Sequence, residues 1–126
     1  MKILIVDDSV TSRKFHSCIV KEAGFTAVTA VDGADGLEKF FRESFDLVLT
    51  DINMQVMDGY EFIRRARQHP ERGNVPILII STEAGPQDRQ KGFAAGANLY
   101  LVKPADVARV ITSMQMVLGG ATAAAS

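Results

Sequence analysis

The strongest constraint on this chain is an alternation of two patterns. Five short apolar runs occur at residues 2–6, 26–31, 45–50, 75–80 and 98–102, and a segment with helical spacing follows each one. Runs this short and rich in Ile, Val and Leu read as strands buried on both faces. Parallel strands cannot be joined by tight turns and need helical crossovers of one hand. Five strand–helix units therefore predict an α/β fold with one parallel sheet covered by helices on both sides.

The helical segments carry their own signals. Ser9 or Thr11 can cap the first, Phe15, Cys18, Ile19 and Ala23 form its apolar stripe, and Gly24 ends it. Ala34, Leu37 and Phe41 place the second on the sheet. Phe62, Ile63 and Ala66 place the third, which stops at His69-Pro70. The fourth, from Pro86 to Ala95, contains Gly92 at a cost of about 1 kcal/mol relative to alanine, so it is a candidate mobile element. Val107, Val110, Ile111, Met114, Val117 and Leu118 give the fifth the clearest amphipathic stripe. Residues 1–118 read as one domain, and 119–126 as a disordered tail or linker stub.

Composition excludes several classes. The 126 residues are 47% apolar and 23% charged, with a formal net charge of −1 and a pI of about 6.1. That balance gives no global drive toward nucleic acid or an anionic membrane. Arg64, Arg65, Arg67 and Arg72 form a local basic cluster that reads as a solvated helix face and the loop after it. A single cysteine, Cys18, excludes an internal disulfide, suggests a cytoplasmic protein and lies in an apolar pattern expected to bury it. No apolar run approaches the roughly 20 residues of a membrane span.

Every strand of a parallel sheet ends on the same edge, where open α/β proteins bind ligands. The residues that follow four of the five strands are Asp7 and Asp8, Asp51, Ser81 with Thr82, and Lys103. Each alone has a plain structural reading as a cap, a turn former or a solvated lysine. Together they gather three carboxylates, hydroxyls and an ammonium at one edge. Carboxylates about 4 Å apart repel by roughly 4 kcal/mol at an effective dielectric of 20, so the group calls for protonation or a cation. Oxygen ligands without His or Cys favour Mg²⁺, Mn²⁺ or Ca²⁺, and so sparse a ligand set suits Mg²⁺ shared with a phosphate. Ser81 and Lys103 complete a pocket for phosphoryl oxygens, and Asp51 can serve as a carboxylate nucleophile.

These residues resemble those of response-regulator receiver domains, close to the single-domain chemotaxis type. The likeness spans residues 2–118 and rests on Val6-Asp7-Asp8-Ser9, Asp51-Ile52-Asn53-Met54 with Met57-Asp58-Gly59, Ser81, Gly96-Ala97 and Val102-Lys103-Pro104. The resemblance implies a flavodoxin-like, doubly wound sheet in the order 2-1-3-4-5. It implies that Asp51 accepts a phosphoryl group from a sensor histidine kinase or histidine phosphotransfer domain. Asp8, Asp51 and the Asn53 carbonyl would bind Mg²⁺ (or Mn²⁺) directly, and Asp7 through a water. Ser81 and Lys103 would contact the phosphoryl oxygens, with the Lys103-Pro104 bond cis. Ser81 and Tyr100 would form a switch that alters the surface of the fourth helix, fifth strand and fifth helix for a downstream protein target. Direct nucleic-acid binding and membrane insertion are not implied. Two departures stand out: Gln55 where the family usually has proline, and Ala105 where an aromatic often follows Lys-Pro.

Rival readings are a receiver cut from a larger regulator, such as a transcription factor or hybrid kinase, a receiver kept only as an interaction module, a flavodoxin-like cofactor carrier and a haloacid-dehalogenase-like phosphatase. The phosphatase needs an acid two residues after its nucleophile, and Asn53 occupies that position. The cofactor carrier needs a phosphate loop after the first strand, where Asp7-Asp8 would repel the ligand.

Overall fold

The computed structural model describes residues 1–119 in full and the backbone on to Ala125; the tail or linker expected over 119–126 falls, past Gly119, outside the fully described residues. The elements alternate as β1 (Lys2–Val6), α1 (Val10–Glu22), β2 (Thr26–Ala30), α2 (Gly33–Arg42), β3 (Leu47–Thr50), α3 (Gly59–Arg67), β4 (Ile77–Ser81), α4 (Pro86–Ala95), β5 (Leu99–Val102) and α5 (Val107–Ala125). All strand pairs are parallel, and the order is β2-β1-β3-β4-β5. This is the flavodoxin-like arrangement anticipated above. Among the described residues no helix is long and apolar enough to cross a membrane.

Side chains of successive strand residues point to opposite faces, and each face has its own core. Leu4, Val6, Val48, Ile77 and Ile79 pack with Phe40, Phe62 and Ile63. Ile3, Ile5, Leu49, Leu78 and Ile80 pack with Ile19, Val20, Val110 and Met114. Helices α2, α3 and α4, the last through Ala95, thus cover one face and α1 and α5 the other. That is why the strands read as unbroken apolar runs.

Two helices sit one residue out of the expected phase. In α1 the buried residues are His16, Ile19 and Val20; Phe15 is 43% exposed and Cys18 is exposed rather than buried. In α2 the sheet-facing aromatic is Phe40, and Phe41 is 48% exposed. Each residue advances 100° around a helix, so neighbouring apolar residues compete for the core, and only one of each pair can reach it. The basic cluster also divides. Arg64 and Arg65 are solvated as expected. Arg67 instead hydrogen-bonds the carbonyls of Gly73, Val75 and Gly96, and Arg72 those of Phe40 and Phe41.

Register positions the strand ends. Val6 pairs with Thr50, and the Asp51 N–H donates to the Val6 carbonyl at 2.9 Å. Ser81 pairs with Val102, and the Lys103 N–H donates to the Ser81 carbonyl at 2.7 Å. Asp7 and Asp51 therefore leave the sheet side by side, as do Ser81 and Lys103. The Lys103-Pro104 peptide bond is cis.

Candidate functional site

The site forms where β1, β3, β4 and β5 end. Asp7 is 3% exposed; its Oδ1 accepts from the Ser9 N–H at 2.9 Å and its Oδ2 from Lys103 Nζ at 3.0 Å. Asp51 is half-buried; its Oδ1 accepts from the Ile52 N–H at 2.7 Å and its Oδ2 from the same Lys103 Nζ at 3.0 Å. Asp8 is exposed and makes no hydrogen bond or ion pair with the described residues. One oxygen from each of Asp7, Asp8 and Asp51 lies within 4.8 Å of the others.

Charge decides what this cluster can hold. Three carboxylates and one ammonium leave a net charge of −2, which a single divalent cation neutralises. At such spacing each carboxylate pair repels by about 3.5 kcal/mol or more at an effective dielectric of 20. Asp7 and Asp51 each have an oxygen committed to each of two donors, whereas Asp8 has its oxygens free among the described residues. The donor set thus suits a hard cation bound by oxygen, with Asp8 the one carboxylate of the three not committed to a protein donor among the described residues. Burial on its own would lower the Lys103 pKa, but its hydrogen bonds to Asp51 and Asp7 outweigh that and hold the ammonium above its usual range.

The turn from Ile52 to Asp58 closes the site. Asp58 caps α3 by accepting from the Glu61 N–H at 2.9 Å, and the Gly59 N–H donates to the Ile52 carbonyl at 2.8 Å. A β-carbon on Gly59 would lie 2.1 Å from the Asp51 carbonyl oxygen, so only glycine lets α3 start this close to the strand end. Val56, in the same turn, has φ of 69° and is 83% exposed. That left-handed backbone is costly for a β-branched residue.

Ser81 is fully buried, and its Oγ accepts from the Glu83 N–H at 3.2 Å. Tyr100 is 5% exposed, and its hydroxyl donates to the Glu83 carbonyl at 2.7 Å. The Arg89 guanidinium lies 5.4 Å from the centre of its ring. Asn53 lies on the rim, where its Nδ2 donates to Glu83 Oε1 at 2.6 Å.

The structure thus brings Asp7, Asp8, Asp51 and Lys103 into one constellation, with Asn53, Ser81 and Tyr100 linked through Glu83. Sequence reasoning passed over Glu83 and His16. Glu83 had a signal, since it follows Ser81 by two residues on the same edge. His16, 4% exposed on α1, had none beyond its helical position.

The model of the response regulator receiver domain family matches residues 3–115. A gliding motility regulatory protein of Myxococcus xanthus is 37% identical over 103 residues, 82% of this chain but only 13% of the relative's length. Chemotaxis protein CheY4 of Vibrio cholerae is 38% identical, with a TM-score of 0.89 over 93% of this chain and 98% of that one. The receiver domain of sensor histidine kinase PA1611 from Pseudomonas aeruginosa, solved with a magnesium ion in its active-site cleft, is 28% identical, with a TM-score of 0.88 over 94% and 97% of the two chains. The chain belongs to the response regulator receiver domain family.

Proposed function

We propose that Asp51 is the phosphoacceptor of a two-component switch and takes its phosphoryl group from a phosphohistidine of a sensor kinase or phosphotransfer domain. The observation that carries this reading is Lys103 Nζ at 3.0 Å from both Asp51 and Asp7, beside the free carboxylate of Asp8. A carboxylate oxygen of Asp51 attacks phosphorus as the phosphorus–nitrogen bond of the donor breaks, and the donor imidazole leaves with the electron pair. Asp7 and Asp51 orient the ammonium, which then meets the transferred oxygens. Ser81 supplies a hydroxyl to the same group. Asp8, Asp51 and the Asn53 carbonyl would hold Mg²⁺, with Asp7 acting through a water. When bound, the ion would supply neutralisation of charge on the transferring phosphoryl group.

Transfer adds about −1.5 to −2 charges beside Lys103. The inward ring of Tyr100 and its bond to the Glu83 carbonyl tie this edge to α4 and β5, so the output surface is α4, β5 and α5, read by a protein target. Asn53 spends its amide on Glu83 and offers no acid. This favours a held phosphoryl group, with slow self-catalysed gain and loss, over phosphatase turnover. The same chemistry serves a free-standing cytoplasmic chain or one unit of a longer regulator.

The test is incubation with acetyl phosphate and Mg²⁺, followed by intact-mass measurement. One added phosphoryl group is expected in the parent and none in Asp51→Asn; undiminished labelling of the variant would overturn the assignment.

A further inference from the structure

The basic cluster noted in the sequence has no part in the chemistry of Asp51. Its two outward members, Arg64 and Arg65, border a groove of about 680 Å³ between α2 and α3. Leu37, Phe41 and Pro70 supply its apolar surface and Gln68 a polar edge.

The floor of this groove is braced. The exposed Phe41 ring lies edge-on to His69 at 5.0 Å, and the Phe41 carbonyl accepts from Arg72 at 2.8 Å. His69 is itself held, because its Nδ1 accepts from the N–H groups of Glu71 and Arg72 at 3.1 and 3.0 Å. An exposed aromatic fixed in this way loses little entropy on binding, which is what an anchor site requires.

The rim is cationic and has donors to spare. Among the described residues Glu61 is the sole carboxylate lining the groove, and it serves both guanidiniums. Arg64 uses Nε and Nη2 on it, and Arg65 uses Nε alone. Among the described residues nothing takes the Nη groups of Arg65 or Nη1 of Arg64, which leaves them for an external carboxylate.

We propose that the α2–α3 groove is a docking site for an acidic peptide segment of a partner protein, which seats one apolar side chain on Phe41 and Leu37 and lays a carboxylate on Arg65. A second copy of this chain is a poor occupant, because a two-fold contact through this patch would press four arginines together against two glutamates. A bilayer is also a poor occupant, because the apolar surface is confined to Leu37, Phe41 and Pro70 and lies beside the carboxylate of Glu61.

The probe is an N-acetylated, amidated Glu-Glu-Leu-Phe-Glu-Glu peptide titrated into the ¹⁵N-labelled chain. Saturable amide shifts are expected at Leu37, Phe41, Arg65 and Gln68. Phe41→Ala and Arg65→Glu should each weaken binding at least tenfold, as should replacing the peptide's glutamates with lysines. Arg65→Glu, at an exposed position, carries the test if Phe41→Ala unsettles α2. The proposal is overturned by an absence of saturable shifts, by shifts centred elsewhere, or by equal affinity in the variants. It is also overturned if groove shifts appear with protein concentration alone, or with anionic phosphatidylglycerol vesicles but not with peptide.

Discussion

His16 is buried on α1, near enough to Lys103, Asp7 and Asp51 to feel their charges. Burial lowers its pKa from 6.5, the Lys103 ammonium lowers it further, and the attraction of Asp7 only partly opposes them. The imidazole is therefore neutral in the fold under conditions where it takes up a proton in the unfolded chain. Stability from this neutral state is present above the unfolded value and is lost as pH falls below 6.5. Each unit of pKa difference corresponds to about 1.4 kcal/mol. Urea unfolding followed from roughly pH 7.5 to 5 should show stability falling on acidification, and His16→Val should flatten that slope. An unchanged slope in the variant would remove His16 as its source. The charged residues at the strand ends were legible in the sequence because a carboxylate or ammonium breaks an apolar run. His16 was not, since only the phase of α1 decides whether it or Phe15 faces the sheet.

Gly92 shows the same gap at the scale of an element. Propensity marks it as a weak point in α4. The fold gives it a packing role: a β-carbon there would lie 2.7 Å from Ile79 Cδ1 and 3.1 Å from the Tyr100 ring. Gly92→Ala gains up to about 1 kcal/mol of helix propensity. Crowding a closed core costs about 1–3 kcal/mol, and both neighbours are buried, so the crowding term wins. A net destabilisation of about 1 kcal/mol is expected by urea unfolding, whereas stabilisation would show that α4 has room to spare. The strands and α4 itself were readable because apolar runs and turn residues are local signals, whereas the order of the strands in the sheet came from the resemblance to receiver domains. The faces of α1 and α2 were misread because Phe15-His16, Cys18-Ile19 and Phe40-Phe41 each offer the core two adjacent candidates. The link from Asn53 to Glu83 joins residues 30 positions apart, and no local pattern encodes it.

Across the whole molecule, the acidic edge is an electrostatic load carried by the entire sheet. Lys103 reaches Asp7 across 96 residues of sequence and Asp51 across 52, so these groups meet only when β1, β3 and β5 are in register. The unfolded chain has no such cluster and no matching affinity for a cation. A cation bound there stabilises the fold as a unit, by about 2.7 kcal/mol when free ligand is one hundred times its dissociation constant. Mg²⁺ should therefore raise the urea midpoint without altering the dependence on denaturant, because the surface exposed on unfolding is unchanged. Asp8→Asn and Asp51→Asn should each remove most of that gain, since each deletes a charge from the ligand set. Sodium chloride at matched ionic strength separates site binding from screening, which relieves repulsion among all exposed charges alike. If sodium chloride reproduces the Mg²⁺ shift, or if both variants retain it, the three carboxylates do not act together as a cation site.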